Sequence, residues 1–180
     1  MAPVRPGRDE IGLLIASAWA LRATCGRRQV GCALFDRDGH LLSTGYNGPA
    51  SGQRHCTDEP CPGNDPAFRS GEGLSFCEAI HAEANALLRC SSVGRIDTAY
   101  VTHSPCLDCV KLLLNTGCKR IVFLQEYAHD AAARERWTRE PHNAYFKGRA
   151  DYQPRFRRWE HFAPTMALIS TAELTDLRGD

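Results

Sequence analysis

The sequence has almost no net charge, no hydrophobic run of membrane-spanning length and no internal repeat. Its 22 Lys and Arg residues balance 21 Asp and Glu residues, for a formal net charge of +1. This excludes a protein that binds polyanions through bulk charge, although it does not exclude a local basic patch. The apolar stretch at residues 11–20 is far shorter than the ~20 residues that cross a bilayer. Asp9 and Glu10 directly precede it, where a secretory signal would be basic. We therefore expect a cytoplasmic protein that makes no membrane contact.

Cysteine is the unusual component of an otherwise ordinary composition. A chain of 180 residues, 43% hydrophobic and 24% charged, is typical of one folded domain. Nine cysteines are an odd number, which fits poorly with a secreted disulfide framework and better with thiolate metal ligands in a reducing compartment.

The order of helical and extended patterns predicts an α/β fold. An amphipathic helix comes first, and two strands joined by a tight Asp38-Gly39 turn form a hairpin. A long Gly- and Pro-rich loop follows, and then helix, strand, helix and strand alternate, which indicates parallel strands joined by crossovers. We expect a three-layer α/β/α sandwich around a mixed sheet of about five strands. The predicted ranges are helices at 9–23, 78–90 and 106–115, strands at 29–35, 41–46, 98–102 and 119–124, and the loop at 47–73.

The chemistry is concentrated in His81, Glu83, Cys106 and Cys109. Two cysteines three residues apart at a helix start present their sulfurs on one face, and the helix N-terminus favours the thiolate. With His81 they supply three zinc ligands and leave the fourth tetrahedral position open, which is typical of a catalytic rather than a structural zinc. Zinc at such a site lowers the pKa of a bound water to about 7. Glu83, two residues past the ligand, is awkwardly placed to coordinate and is predicted to be the general acid/base.

This pairing of His-x-Glu with Pro-Cys-x-x-Cys is the known signature of zinc-dependent base and nucleotide deaminases. Beyond the zinc residues, the sequence resembles the deoxycytidylate (dCMP) deaminases. Gly-Tyr-Asn-Gly together with His-Ala-Glu-x-Asn-Ala favours that family over the tRNA adenosine and guanine deaminases. The matching stretches are residues 28–32 (RQVGC), 43–48 (STGYNG), 77–86 (CEAIHAEANA), 100–102 (YVT) and 104–106 (SPC).

The resemblance implies a cytidine deaminase-like fold and hydrolysis of dCMP to dUMP and ammonia, which supplies dUMP for dTMP synthesis. It also implies a homo-oligomer, often a hexamer, that is activated by dCTP and inhibited by dTTP. Asn47 corresponds to an asparagine that contacts the sugar and base of the substrate, and Tyr127 to a tyrosine that stacks on the pyrimidine. Tyr46 is a further substrate-binding candidate. Arg28 is a candidate for the 5′-phosphate, together with Arg27 and Lys111.

A second, structural zinc is expected from the remaining cysteines around the long loop. A closed four-ligand site would order that loop. Relatives from phages and bacteria often carry such a zinc. The favoured ligands are Cys25, Cys56, Cys61 and Cys77, with His55 as a substitute.

The C-terminal third departs from the family pattern. We expect a zinc-dependent deaminase core at residues 1–130 and an extension at 131–180 that packs on the same domain. Residues 134–158 carry eight basic and three acidic side chains, a balance of +5. This stretch could close the pocket over a modified cytidine nucleotide, or contact a tRNA or single-stranded DNA in which a flipped base is deaminated. A nucleic-acid substrate is the less favoured alternative, and a non-catalytic zinc module is disfavoured by Glu83.

Overall fold

The computed structural model describes residues 5–69, 71–127, 130–139 and 155–158, except for the side chain of Arg155. The described residues contain four α-helices, five strands and three short 3₁₀ turns. The helices are α1 (Arg8–Ala20), α2 (Ala82–Leu88), α3 (Leu107–Leu114) and α4 (Ala131–Thr138). The strands are β1 (Gly31–Asp36), β2 (Leu41–Tyr46), β3 (Ile96–His103), β4 (Arg120–Gln125) and β5 (Arg155–Arg158), and the 3₁₀ turns are Pro62–Asn64, Leu74–Phe76 and Val93–Arg95.

The five strands form one mixed sheet in the order β2-β1-β3-β4-β5. β1 pairs antiparallel with both β2 and β3, whereas β4 runs parallel to β3 and β5 parallel to β4. The hairpin and the parallel half therefore arise as the sequence predicts. The predicted α/β fold with a mixed five-stranded sheet is confirmed.

Helices cover both faces of the sheet. On one face, Leu13 and Ala16 of α1 pack against Ala33, Phe35 and other side chains of β1, β3 and β4. The other face holds α2, α3 and α4. Its larger core consists of Cys32, Leu34, Ala82, Ala86, Ile96, Ala99, Val101, Val110, Leu113, Leu114, Cys118, Ile121, Phe123, Ala133 and Trp137. Because neighbouring residues of a strand point to opposite faces, each central strand contributes to both cores.

Glycine allows the helices to approach the sheet closely at two positions. A Cβ on Gly31 would collide with the carbonyl oxygen of Ala16 in α1. A Cβ on Gly45 would collide with the carbonyl oxygen of Ala82 and the amide nitrogen of Ala86 in α2. α2 can therefore lie this close to β2 only because residue 45 has no side chain.

The second helix is shorter than predicted, because it begins at Ala82 rather than at residue 78. The residues before it are extended, and Ile80 pairs with Gly48 through two backbone hydrogen bonds of 2.8 and 3.2 Å. This bridge uses the backbone groups that a helical turn would need. His81 consequently becomes the N-cap residue of α2.

Two elements after residue 130 pack on the sheet and its helices. Trp137 of α4 is fully buried in the larger core, and Phe156 of β5 lies 5.1 Å from Phe123, measured between ring centroids. The remainder of the predicted extension, residues 140–154 and 159–180, lies outside the described residues. Within the described residues, no helix is long and apolar enough to span a membrane.

Candidate active site

His81, Cys106 and Cys109 come together at the N-termini of α2 and α3. His81 and Cys106 are the N-cap residues, and Cys109 lies in the first turn of α3. Nδ1 of His81 is 3.4 Å from the Sγ atoms of both cysteines, and the three ligand atoms lie within 4.8 Å of one another. Tetrahedral zinc with ordinary bond lengths requires nitrogen–sulfur separations of about 3.6 Å. The three side chains therefore fit a zinc ion.

The electrostatics of this group favour the ligand form of Cys106. The hydrogen bond from the Cys109 thiol, and then His81, hold the pKa of Cys106 at about 4. The hydrogen bond to Cys106 in turn raises the pKa of His81 to about 9.

Glu83 is a buried carboxyl group beside the three ligands. It lies in the first turn of α2, is only 4% exposed and hydrogen-bonds to the Cys109 side chain. Burial raises the pKa of Glu83 above its usual value, whereas a cation at the neighbouring ligands would lower it. Its position beside the ligand group suits a residue that exchanges protons with a reacting molecule.

A cavity of about 520 Å³ opens beside these residues, a size within the usual range for small-molecule sites. His81, Glu83 and Cys106 line it. The opposite walls come from residues at the ends of the strands and from the long loop. These residues lie at the end of the sheet where β3 and β4 finish.

Asn47 lies in the cavity wall and joins the end of β2 to the chain before β1. Its Oδ1 accepts a hydrogen bond of 2.7 Å from the backbone N–H of Val30, and its Nδ2 donates one of 2.8 Å to the carbonyl oxygen of Arg28. These bonds leave a further N–H and a further lone pair on the amide. Asn47 can therefore shape the wall and contact a ligand.

Arg28 and Tyr127 form a pair in the same cavity. The Arg28 guanidinium carbon lies 4.9 Å from the centroid of the Tyr127 ring, and both residues line the cavity. The Tyr127 N–H donates a hydrogen bond of 2.7 Å to the Ser104 hydroxyl, next to the Pro-Cys-x-x-Cys motif. A cation and an aromatic ring thus lie together on the cavity wall.

Two of the predicted substrate-binding residues lie elsewhere. Tyr46 does not line the cavity, because its ring stacks on Trp19 of α1 with the centroids 6.1 Å apart. Lys111 is exposed on α3 and pairs with Asp108 at 2.8 Å. Neither side chain is placed to contact a ligand in this cavity.

The motifs described above include neither His103 nor the contacts that Arg27 makes. His103 lines the cavity, and burial, reinforced by the nearby Arg28, lowers its pKa. Its position directly before Ser-Pro-Cys could have identified it as a cavity residue. Arg27 also lines the cavity, but its guanidinium is bonded to backbone carbonyls of the long loop. No local pattern indicates that contact.

The four cysteines predicted to hold a second zinc form two pairs. The sulfurs of Cys56 and Cys61 are 3.7 Å apart, close to the separation of two thiolates on one tetrahedral zinc. Cys25 and Cys77 are joined by a side-chain hydrogen bond. His55 is exposed. Among the described residues, the four sulfurs do not form a group of three within 4.8 Å, as the catalytic ligands do.

Comparisons with known proteins agree with this architecture. The cytidine and deoxycytidylate deaminase zinc-binding region matches residues 8–125. The chain is 41% identical over 128 residues to the deoxycytidylate deaminase of Mycobacterium phage D29, and the match covers 68% of this chain and 98% of that protein. It is 36% identical over 129 residues to the deoxycytidylate deaminase of Schizosaccharomyces pombe, covering 71% of this chain and 40% of that protein.

The solved structures that resemble the chain include the dCMP deaminase from the cyanophage S-TIM5 in complex with dCMP and dUMP. The TM-score is 0.55 at 26% identity, with 74% of this chain and 94% of that one covered. The chain spans about half the length of some curated relatives, as its 58% coverage of the Bacillus subtilis ComE operon protein 2 illustrates. Since the zinc-binding region matches well over half of the chain, and the three ligands lie within it, the protein belongs to the cytidine and deoxycytidylate deaminase family.

Proposed function

We propose that the protein hydrolyses dCMP to dUMP and ammonia. The observation that carries the proposal is the buried Glu83 beside the His81, Cys106 and Cys109 ligand group, at the wall of a nucleotide-sized cavity. The names of the phage D29 relative and of the S-TIM5 structure support the choice of substrate. The product would supply dTMP synthesis.

His81, Cys106 and Cys109 would hold a zinc ion, which would supply the Lewis acidity that makes water a nucleophile near neutral pH. The Glu83 carboxylate accepts the proton that this water loses. Glu83 passes this proton to N3 of the pyrimidine. It then accepts the second proton of the attacking water, after the water oxygen has bonded to C4, and delivers it to the amino group as the C4–N bond breaks and ammonia leaves. The enclosed position of Glu83 keeps these transfers away from bulk water.

The cavity wall offers groups for the remainder of the nucleotide. We propose that Asn47 uses its unengaged N–H and lone pair on the sugar and base. Tyr127 would stack on the pyrimidine, and Arg28 beside it would bind the 5′-phosphate. We do not extend this proposal to Tyr46, because its ring is stacked on Trp19 outside the cavity.

The test compares the zinc-loaded wild type with Glu83→Gln, and ammonia release is measured on dCMP, CMP, 5-methyl-dCMP, dCTP and a cytosine-containing oligonucleotide. We expect turnover of dCMP, and a loss of about 10²–10⁴-fold in kcat for the variant, with its zinc content unchanged. Activity on the oligonucleotide alone would contradict the proposal and favour a nucleic-acid deaminase. A preference for 5-methyl-dCMP would instead indicate a modified nucleotide as substrate.

We further propose a second, structural zinc held by Cys25, Cys56, Cys61 and Cys77, supported by the two thiol pairs. The two pairs are neighbours, because a Cβ on Gly63, two residues past Cys61, would collide with Cys77. Metal analysis of the purified protein should then find two zinc ions per chain, and one in Cys56→Ser. One ion per chain in the wild type would contradict this site. His55, which is exposed, is a weaker candidate ligand.

We also propose that the protein is a cytoplasmic homo-oligomer. Nine free cysteines fit a reducing compartment, and the apolar Ile11 and Trp19 of α1 are 39% and 38% exposed, as at surfaces that associate. The hexamer and the control by dCTP and dTTP remain predictions of the resemblance. Light scattering measures the size of the oligomer, and dCMP kinetics with added dCTP or dTTP measure the control.

A further inference from the structure

One wall of the active-site cavity is a loop segment with almost no buried side chains. Residues 63–69 and 71–74, called the wall segment below, contribute six of the cavity-lining residues: Asn64, Asp65, Pro66, Phe68, Gly71 and Leu74. Among the described residues of this segment, Gly63 alone is buried, and Leu74 is 47% exposed. Segments that bury few apolar groups open at low cost in free energy. Something other than a hydrophobic core must hold this wall in place.

Arg27 provides that anchor. Its Nη1 donates hydrogen bonds of 2.9 Å to the carbonyl oxygen of Gly63 and 2.7 Å to that of Glu72, and its Nη2 donates one of 2.7 Å to that of Arg69. The three carbonyls span the wall segment, so one planar guanidinium fixes both of its ends. Hydrogen bonds from an ionised donor are stronger than those between neutral groups.

The chain that carries Arg27 is itself held firmly. Residues 21–30 connect α1 to β1, and the N–H of Thr24 in this connection bonds to the carbonyl oxygen of Asn47 at 3.1 Å. Gln29 bonds to the carbonyl oxygen of Cys25 at 2.9 Å. Arg27 therefore links the weakly packed wall segment to a connection that hydrogen bonds hold at the end of the sheet.

We propose that Arg27 is a positioning residue that holds the wall segment in the form that binds substrate. This inference rests on the proposed function, because it assigns the same cavity to the substrate. Glu83 and the ligands His81, Cys106 and Cys109 lie at α2 and α3, so we expect the chemical step to be largely independent of the wall. Loss of Arg27 should weaken substrate binding while leaving turnover of bound substrate nearly intact.

The experiment measures dCMP deamination by zinc-loaded Arg27→Gln, with Arg139→Gln as the matched control. Arg139 directly follows α4, is exposed and pairs with Glu135 through a side-chain hydrogen bond of 2.7 Å. If the binding-competent wall falls to a tenth of the population, KM rises about tenfold. We expect that rise with kcat within about twofold and an unchanged zinc content. Arg27→Lys should give an intermediate KM, since one ammonium cannot reach all three carbonyls in the same geometry.

Trypsin provides a readout that does not require activity. Cleavage after Arg69, compared with cleavage after the exposed Arg54 as an internal reference, should be faster in Arg27→Gln than in the wild type. An unchanged KM and an unchanged cleavage pattern would overturn the inference, as would an equal fall in kcat accompanied by loss of zinc. A wild type that is inactive on dCMP would refute the proposed function, and the trypsin result would still decide whether Arg27 holds the wall.

Discussion

At the scale of single residues, Asn47 combines a structural position with the substrate contact proposed above. It is 7% exposed, and both ends of its amide bond to backbone groups at the start of β1. Asn47→Ala leaves those groups unpaired, and we expect a loss of about 1–3 kcal/mol in the free energy of unfolding together with a higher KM. Urea denaturation and dCMP kinetics measure both effects. The exposed Asn115, changed to Ala, is the control, and an Asn47→Ala protein of wild-type stability and KM would contradict this dual role.

The candidate metal ligands could be predicted from the sequence because their residue types and their spacing are specific to metal binding. His81, Cys106 and Cys109 meet as predicted, and the helix start accounts for the two cysteines, whereas the N-cap position of His81 depends on the later start of α2. Tyr46 could not be assigned, because its neighbour Trp19 lies 27 residues earlier and their contact depends on how α1 crosses the sheet. The same holds for Arg27, whose partners are carbonyl oxygens that every residue possesses.

At the scale of elements, the contact of α2 with β2 sets the position of the catalytic residues at the start of α2. Gly45→Ala forces the helix away from the strand, and we expect a loss of about 1–3 kcal/mol in stability from overpacking, with a fall in kcat because Glu83 moves. The control is Gly94→Ala, whose added methyl meets nothing within 4 Å and should change stability by less than about 0.5 kcal/mol. Thermal denaturation and kinetics compare the two, and equal effects would refute the role of this contact.

A helix or strand can be predicted from the sequence when the residues that determine it are close together in the chain. The β1–β2 hairpin was predicted because Asp38-Gly39 is favourable turn chemistry and lies between two apolar runs. The early start of the predicted α2 was wrong, since the bridge between Gly48 and Ile80 is a tertiary contact. β5 has the sequence Arg-Phe-Arg-Arg. This sequence alone does not predict a strand, so β5 depends on its pairing with β4.

At the scale of the whole molecule, residues 131–139 belong to the same packed unit as the active-site elements if their buried side chains contribute to stability. Trp137 of α4 is fully buried among side chains of the larger core. We expect Trp137→Ala to lower the free energy of unfolding by about 3–5 kcal/mol, within one cooperative transition. Trp19→Ala, which removes an indole that is 38% exposed, should cost less. Calorimetry of both variants tests this expectation. Two separate transitions would mean that residues 131–139 are an appendage rather than part of the domain. A loss of stability in Trp137→Ala no larger than that in Trp19→Ala would mean the same.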